Sequence, residues 1–166
     1  MSSMIDLVTQ FSPCREYRYT LWRQWRKDEL FINRDRIRYV QFIGLNPSTA
    51  DETNDDPTIR RCIAFAQGWG FDAMCMTNLF AFRATDPRNM KSHSKPIGDD
   101  NDRWLVAISR QAEKVIACWG NHGQFMARDR DAISLLQPMF CFGLTSEKQP
   151  KHPLYLRKDA QLVELV

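Results

Sequence analysis

The sequence predicts a three-layer α/β/α sandwich with a central, mainly parallel sheet of about four strands and an N-terminal antiparallel strand or hairpin. Short apolar runs alternate along the chain with segments of helical periodicity, which indicates parallel strands joined by crossover helices on both faces. The strongest run, 39–48, reads Tyr-Val-Gln-Phe-Ile-Gly-Leu-Asn-Pro-Ser and passes abruptly from apolar residues into a polar loop. The length of 166 residues suits a single domain over 1–166, which would bury roughly two-thirds of the unfolded surface.

The predicted elements follow in order along the chain. Residues 16–25 alternate polar and apolar side chains and predict an edge strand or one arm of a hairpin. The central strands are short apolar runs bounded by turn residues, and they are predicted at 37–45, 71–82, 114–119 and 139–144. The helices begin at capping or turn residues and are predicted at 57–67, from Asp99 or Asp100 to 112, from 120–123 through 136, and as a short C-terminal helix.

Polar loops follow each predicted central strand. The loops after Leu45, Phe82, Trp119 and Leu144 would lie at the carboxyl edge of the sheet, where open α/β sheets bind their ligands. The sequence has neither a GxGxxG pattern nor a Walker loop, so dinucleotide and nucleoside triphosphate binding have no motif to support them.

Composition excludes several classes of protein. Apolar residues make up 43% and charged residues 26% of the chain, as in ordinary globular proteins. No apolar run approaches the roughly 20 residues of a membrane span, and residues 1–6 lack the plan of a signal peptide. The five cysteines include no CxxC pair, which favours reduced thiols, a cytoplasmic location and no zinc site. We expect neither a metal nor a cofactor, and no membrane partner.

Basic residues are concentrated at both ends of the chain. The net charge is only +3, but eight basic residues crowd the first forty positions, namely Arg15, Arg18, Arg23, Arg26, Lys27, Arg34, Arg36 and Arg38. Aromatic residues interleave with them, a combination that suits contact with phosphates and stacked bases. The alternative is a solvated basic face with Trp22 and Trp25 in the core. The distribution therefore leaves nucleic acid, DNA in particular, as a candidate partner.

The loop that ends the strongest strand carries the first candidate binding residues. Gly44 permits a close backbone approach, and Pro47 fixes its own φ and holds the preceding residue extended. Asn46 is thereby presented at the mouth of the expected cleft, beside Ser48. The alternative is an ordinary strand-ending turn, because Asn, Pro and Ser are turn formers.

Four segments, taken in order, resemble the motifs of the uracil-DNA glycosylase superfamily. They are Gly-Leu-Asn-Pro-Ser at 44–48, Thr-Asn-Leu-Phe-Ala-Phe-Arg-Ala at 77–84, Val-Ile-Ala-Cys-Trp-Gly at 115–120 and His-Pro-Leu-Tyr-Leu-Arg at 152–157. The whole chain is more closely similar to a bacterial and phage family known as domain of unknown function 1643, whose members carry the GLNPSTAD loop at 44–51 and the KHPLYL segment at 151–156.

The glycosylase resemblance implies roles for individual residues. His152 would donate a hydrogen bond to the departing base, Asn46 would hold the attacking water, and Asp51 would act as a base. Substrate-binding roles fall to a wider set that belongs to the same motifs: Gly44, Pro47, Ser48, Asn78, Arg83 and Tyr155. Contacts with backbone phosphate are expected from the basic residues of the late motif, Lys151, Arg157 and Lys158.

Structural alternatives remain open for several of these residues. His152 is alternatively a loop residue packed on Tyr155, and Asn78 one that satisfies backbone groups at a strand end. Asp55 and Asp56 are further candidate bases or helix caps. Asn121 and His122 mark a helix start that suits either an anion or a cap.

The chain also departs from the glycosylase pattern at two places. Leu154 stands where the glycosylases usually have Ser, and the base-stacking aromatic residue expected after the first motif has no clear counterpart, Phe65 lying deep in a predicted helix.

These patterns lead to one principal hypothesis and two alternatives. The principal one is a nucleic-acid base-processing enzyme of the glycosylase type, which must extrude a base and stabilise the charge that develops on it. The alternatives are a non-catalytic nucleic-acid-binding protein on the same fold and an enzyme that acts on free nucleotides or nucleosides. Fold alone does not choose between them.

Overall fold

The protein is a mixed α/β structure built on a seven-stranded sheet. The computed structural model describes residues 6–26, 37–136 and 138–165. The strands are β1 (Gln10–Phe11), β2 (Arg18–Gln24), β3 (Tyr39–Gly44), β4 (Ala73–Asn78), β5 (Lys114–Ala117), β6 (Met139–Cys141) and β7 (Val163–Leu165). The helices are α1 (Pro57–Gly68), α2 (Pro87–Ser92), α3 (Asn101–Ser109) and α4 (Arg128–Leu135), with a 3-10 helix at Asn121–Ala127.

The sheet has the strand order β1-β2-β4-β3-β5-β6-β7. The pairs β4–β3, β3–β5 and β5–β6 are parallel. The pairs β1–β2, β2–β4 and β6–β7 are antiparallel, so the sheet as a whole is mixed. The expected N-terminal antiparallel addition is therefore present as β1 and β2, but the sheet is larger than four strands.

Helices pack on both faces of the sheet because the strands are apolar on both sides. Val40 and Phe42 of β3 face α1, whose Ile59, Cys62 and Phe65 are buried against them. The alternate residues of β3 face the opposite helix: the Tyr39 hydroxyl donates to the carbonyl of Ile108 in α3, and Ile43 packs in a cluster with residues of α3 and α4. A central strand buried on both faces explains why its sequence is a continuous apolar run.

Two predicted elements are wrong in type. The chain end forms the antiparallel strand β7 against β6, not a short helix. The helix predicted from 120–123 through 136 is two elements, because Met126 and Ala127, at the end of the 3-10 helix, take left-handed backbone angles directly before α4. No glycine or proline stands at either position to indicate the change in the sequence.

Helix starts were predicted more closely than strand ends. Pro57 opens α1, and the Asp56 side chain accepts the N–H of Ile59, as a capping residue does. Asp100 is the N-cap of α3, but its side chain makes no capping hydrogen bond. The predicted loop at 83–95 contains the short helix α2, which Asp86 caps through the N–H of Arg88.

Candidate functional site

A pocket of about 600 Å³ opens at the carboxyl edge of the parallel strands. Its walls are formed by the segments that follow β3, β4 and β5, by the first turn of α1 and by the loop between β6 and β7. Asn46, Asn78 and His152 all line this pocket, together with Gly44 and Ser48. The structure therefore brings three residues that are distant in sequence to the one edge where the topology predicted a ligand site.

Asn78 lies at the floor of the pocket and is 3% exposed. Its Oδ1 accepts from Nη2 of Arg18 at 3.4 Å, which fixes the amide so that its Nδ2 is turned the other way. That Nδ2 lies 2.9 Å from the position a Cβ would take at Gly44. Gly44 is thus required at the end of β3 because the amide of Asn78 occupies the space of a side chain.

Asn46 joins the two loops that form the upper wall. Its Nδ2 donates to the carbonyl oxygens of Pro47 and Ala84, at 3.1 and 2.8 Å. The Ala84 N–H donates back to the carbonyl of Pro47 at 2.9 Å. The Nδ2 group of the amide therefore bonds only to loop carbonyls. Within the described residues, Oδ1 of Asn46 is an acceptor without a protein partner.

His152 presents a neutral imidazole to the pocket. Its ring is accessible to solvent within the concavity, yet partial desolvation by the surrounding protein lowers its pKa from the ordinary value, with nearby Asp56 opposing the shift. The Leu154 N–H donates to Nδ1 at 3.2 Å, which assigns the proton of the neutral ring to Nε2. His152 is thus a hydrogen-bond donor through Nε2 at neutral pH.

Asp51 does not line the pocket. Its carboxylate closes its own loop by accepting the backbone N–H groups of Thr53 and Asn54 at 3.0 and 2.8 Å and the side-chain amide of Asn54. These hydrogen bonds, that of Thr53 first, lower the pKa of Asp51 to about 2. The carboxylate that does line the pocket is Asp56, whose Oδ1 caps α1 and whose Oδ2 accepts no hydrogen bond from the described residues.

Arg18 is the pocket residue that the sequence patterns did not single out. It begins β2, is 2% exposed and lines the pocket beneath Asn78. Nη1 donates to the carbonyl of Ala50 at 2.9 Å, and Nε has no partner. Burial lowers its pKa to about 10. In the sequence it was one of eight N-terminal basic residues, and nothing in that cluster distinguishes the one that points inward.

The other predicted binding residues lie outside this pocket. Pro47 is buried behind the loop. Arg83 lines an adjoining groove of about 450 Å³, which shares four residues with the pocket, namely Ser48, Thr49, Ala84 and Thr85. Tyr155 is 97% exposed, with a left-handed φ of 73°. Lys151, Arg157 and Lys158 are exposed on the same segment that carries His152, and Arg157 contacts Asp159 at 3.1 Å.

Most described arginines of the N-terminal cluster are paired with carboxylates. The pairs are Arg15–Glu52, Arg23–Asp55, Arg26–Asp72 and Arg38–Glu113. Trp22 is 5% exposed, and Trp25 packs on the core and donates its Nε1 to the carbonyl of Phe71. Lys27, Arg34 and Arg36 lie outside the described residues. The described part of this cluster therefore fits the alternative of a solvated face, with Trp22 buried and Trp25 partly buried against the core.

The segment after β5 is shaped by two glycines. Gly120 has a φ of +73°, and a Cβ at Gly123 would lie 2.0 Å from the indole of Trp119. Gly120, not Asn121, is the N-cap of the 3-10 helix, and the Asn121 side chain instead accepts from the Thr145 hydroxyl at 2.6 Å. His122 lines the pocket from this segment. Phe65 packs on Trp69 and Phe142 in the core and does not reach the pocket.

Two absences hold for the residues that the structure describes. No group of three or more His, Cys, Asp or Glu side chains there is arranged to hold a metal ion. None of the helices among them is both long and apolar enough to cross a membrane.

The fold and site define a mixed α/β protein with a polar pocket at the carboxyl ends of its parallel strands. The model of a protein family of unknown function, DUF1643, matches residues 18–154. The chain therefore belongs to that family, and the match runs from Arg18 through the His152 loop. No curated protein and no solved structure matches the chain significantly.

Proposed function

We propose that the protein is a nucleobase-processing enzyme that hydrolyses an N-glycosidic bond, on a sheet and pocket arranged as in the uracil-DNA glycosylases. The observation that carries the proposal is the convergence of Asn46, Asn78 and His152 on one pocket. These are the residues to which the motif resemblance assigns water binding, base recognition and stabilisation of the leaving base. Free thiols at all five cysteines fit the cytoplasm as its location.

The chemistry assigned to His152 is hydrogen-bond donation to the base. When the C–N glycosidic bond breaks, its electron pair passes to the base, and negative charge develops on a ring carbonyl oxygen. A neutral imidazole with its proton on Nε2 donates to that oxygen without giving up the proton. Such a preorganised donor acts mainly in the transition state, and losing one costs roughly 10²–10³ in rate.

The attacking water needs an acceptor for its proton. Asp56 supplies a carboxylate oxygen without a partner in the described structure, and Asn46, which lines the same pocket, supplies an amide oxygen. As water adds to the sugar carbon, its proton passes to Asp56 and then to solvent, and the departing base takes up a proton on release. Asp56 replaces Asp51 in this role because Asp51 is outside the pocket lining.

DNA is the proposed source of the base. Lys151, Arg157 and Lys158 are exposed on the segment that carries His152, and Tyr155 projects from it almost fully accessible. Basic side chains around an exposed aromatic ring suit a strand with unstacked bases. Such binding weakens with salt, because lysine and arginine displace counterions condensed on phosphate.

A free nucleotide or nucleoside is the second candidate substrate. It is favoured by the carboxylates that pair with Arg15, Arg23, Arg26 and Arg38, which leave the described N-terminal face without a continuous basic track. A ligand held wholly within the pocket needs no such track.

The test is to incubate the protein with oligonucleotides that carry varied modified bases and to score abasic sites. His152→Ala should remove most of the single-turnover rate while DNA binding stays nearly intact. His93→Ala is a matched control, because His93 also accepts a backbone N–H two residues on at Nδ1 but lies outside the pocket. Equal losses in both variants, or no abasic sites from any base, would overturn the proposal.

A further inference from the structure

We propose that the pocket contains a subsite for a phosphate ester, with the buried Arg18 as its counter-charge. The inference deepens the proposed function, on which it rests for the base, by naming the charged part of the substrate. It draws on features that the motif resemblance does not cover, since Arg18 precedes every segment that carries that resemblance.

Arg18 lines the pocket and has donors that no described residue uses. A guanidinium carries five N–H donors, and two of those on Arg18 are used, by Ala50 and Asn78. The Nε–H is buried without a partner. Buried polar groups in native proteins are almost always satisfied, and an exception in a pocket points to a ligand.

The charge of Arg18 is also not balanced by contact with a carboxylate. No carboxylate among the described residues lies within ion-pair distance of it. The charged groups that act on it through space are Asp56, which favours its charged form, and Arg83 and Arg23, which oppose it. Arg23 is itself paired with Asp55. Arg18, Arg83 and Asp56 together leave one positive charge that an anionic ligand would neutralise.

The pocket lining also contains several uncharged hydrogen-bond donors. Four hydroxyl side chains line the pocket and form no side-chain hydrogen bond with described residues: Ser48, Thr49, Thr58 and Thr85. The Nδ2 of Asn78 and the Nε2 of His152 add two further donors. A phosphate offers several oxygens that all accept, so it matches a wall rich in hydroxyls around one arginine.

The volume admits a ligand larger than a phosphate ion. Pockets that hold whole small molecules measure roughly 300–1,000 Å³, and this one measures about 600 Å³. Two sources of phosphate ester fit this chemistry: the monoester of a free nucleotide and the diester beside an extruded base. The binding experiment separates them by using both kinds of probe.

Calorimetric titration should be made with inorganic phosphate, a nucleoside, its 5′-monophosphate, and a short single-stranded oligonucleotide without a terminal phosphate. The wild-type protein should bind the monophosphate at least about tenfold more tightly than the nucleoside, a ratio typical of a charge-assisted contact. Inorganic phosphate should compete. If the diester is the source, the oligonucleotide should bind and phosphate should displace it.

Arg18→Met is the decisive variant. It should lose the preference for phosphate while its urea midpoint changes little, since removal of an uncompensated buried charge offsets the loss of the hydrogen bonds to Ala50 and Asn78. Arg38→Met is the control for loss of one positive charge, because Arg38 lies at the amino end of β3, at the opposite edge of the sheet. It should bind every probe as the wild type does.

Phosphate binding that persists in Arg18→Met, or wild-type protein that binds the nucleoside and its monophosphate equally, would overturn the subsite. Unfolding of Arg18→Met in the absence of denaturant would also count against it, because Arg18 would then be required for stability. The outcome is independent of abasic-site formation. A protein that binds phosphate through Arg18 but releases no base keeps the subsite and loses the proposed activity.

Discussion

Two arginines of this protein are buried to the same extent but differ in their hydrogen-bond and ion-pair partners. Arg18 and Arg128 are each 2% exposed. Arg128 contacts Asp102 at 2.7 Å and Asp131 at 3.7 Å, and it gives two further N–H groups to the carbonyl of Leu79. Arg18 has two hydrogen bonds to neutral oxygens and an orphaned Nε.

The two arginines differ in whether partners compensate the cost of burying the charge. Burying an ion costs several kcal/mol unless partners compensate it. Arg128 holds the start of α4 to the end of β4 and is compensated on the spot. Arg18 is not compensated, and it lies in the wall of the pocket. Local rules of stability are most often broken at functional sites, so the orphaned charge of Arg18 supports the proposal that the pocket is functional, whereas the Arg128 cluster belongs to the scaffold.

Replacing the compensated arginine should have the largest effect on stability. Arg128→Met should lower the free energy of unfolding by about 3 kcal/mol, because Asp102 loses its partner and the Leu79 carbonyl loses two donors. Urea titration measures the loss. Phosphate affinity should be unchanged in the folded variant, because Arg128 does not line the pocket. A variant as stable as the wild type would contradict the structural role.

Giving Arg18 a carboxylate should make it resemble Arg128. Asn78→Asp is nearly isosteric and places a charged oxygen where Oδ1 now accepts from Nη2 at 3.4 Å. We expect a gain of about 1–2 kcal/mol in the free energy of unfolding and at least about a tenfold loss of phosphate affinity. Thermal melting and calorimetry give the two numbers. Retained phosphate affinity would show that Arg18 is not the counter-charge.

A smaller perturbation acts on the same contact from the other side. Gly44→Ala would bring a Cβ within 2.9 Å of the Asn78 amide, so the amide must shift and its contact with Arg18 is disturbed. We expect a loss of about 1–2 kcal/mol in stability, as for other overpacked sites, together with weaker ligand binding. Gly68→Ala is the matched control, since nothing lies within 4 Å of the added atom. It should stabilise α1 by up to about 1 kcal/mol. Equal behaviour of the two variants would contradict the requirement for Gly44.

The weakest expected effect concerns Asp51, whose carboxylate accepts hydrogen bonds only within its own loop. Asp51→Asn should lower the melting temperature by a few degrees at neutral pH and leave ligand binding unchanged. The hydrogen bonds from Thr53 and Asn54 depress the pKa of Asp51 to about 2, against an ordinary 3.8. Its contribution is therefore complete above pH 3.8 and is lost as the pH falls towards 2. Melting curves across that interval should show the variant and the wild type converging, and a constant gap would contradict this.

The sequence predicted the elements of the fold that depend on local pattern. Apolar runs located β3, β4, β5 and β6, and Asp56 followed by Pro57 located the start of α1. It failed at the chain end, where the pairing of β7 with β6 is a tertiary contact that a short segment does not encode by itself. The sheet is also larger than expected, because it includes the edge strands β1 and β7. Strands of two or three residues are too short to show a periodicity in the sequence.

The candidate site was predicted where it follows from topology. Asn46 and His152 follow parallel strands and Asn78 ends one. The carboxyl ends of these strands must meet at one edge, so the convergence of the three residues could be anticipated. Arg18 could not, since it starts an antiparallel strand and nothing local distinguishes it from its exposed neighbours. Asp51 and Asp56 were both candidates, and only the fold decides which of the two carboxylates faces the pocket.

The distribution of cysteines allows the opening of the fold to be followed by the rate of thiol labelling. Cys14 is exposed, whereas Cys62, Cys75, Cys118 and Cys141 are buried. Burial raises the pKa of the Cys62 and Cys75 thiols, which suppresses the reactive thiolate. A thiol reagent should thus label one site on the native protein at once and the others only as the fold opens. A ligand seated in the pocket that Cys118 lines should slow the labelling of the buried thiols, because it stabilises the folded state from which they are inaccessible. The ratio of slow to fast labelling would then report occupancy without any engineered probe.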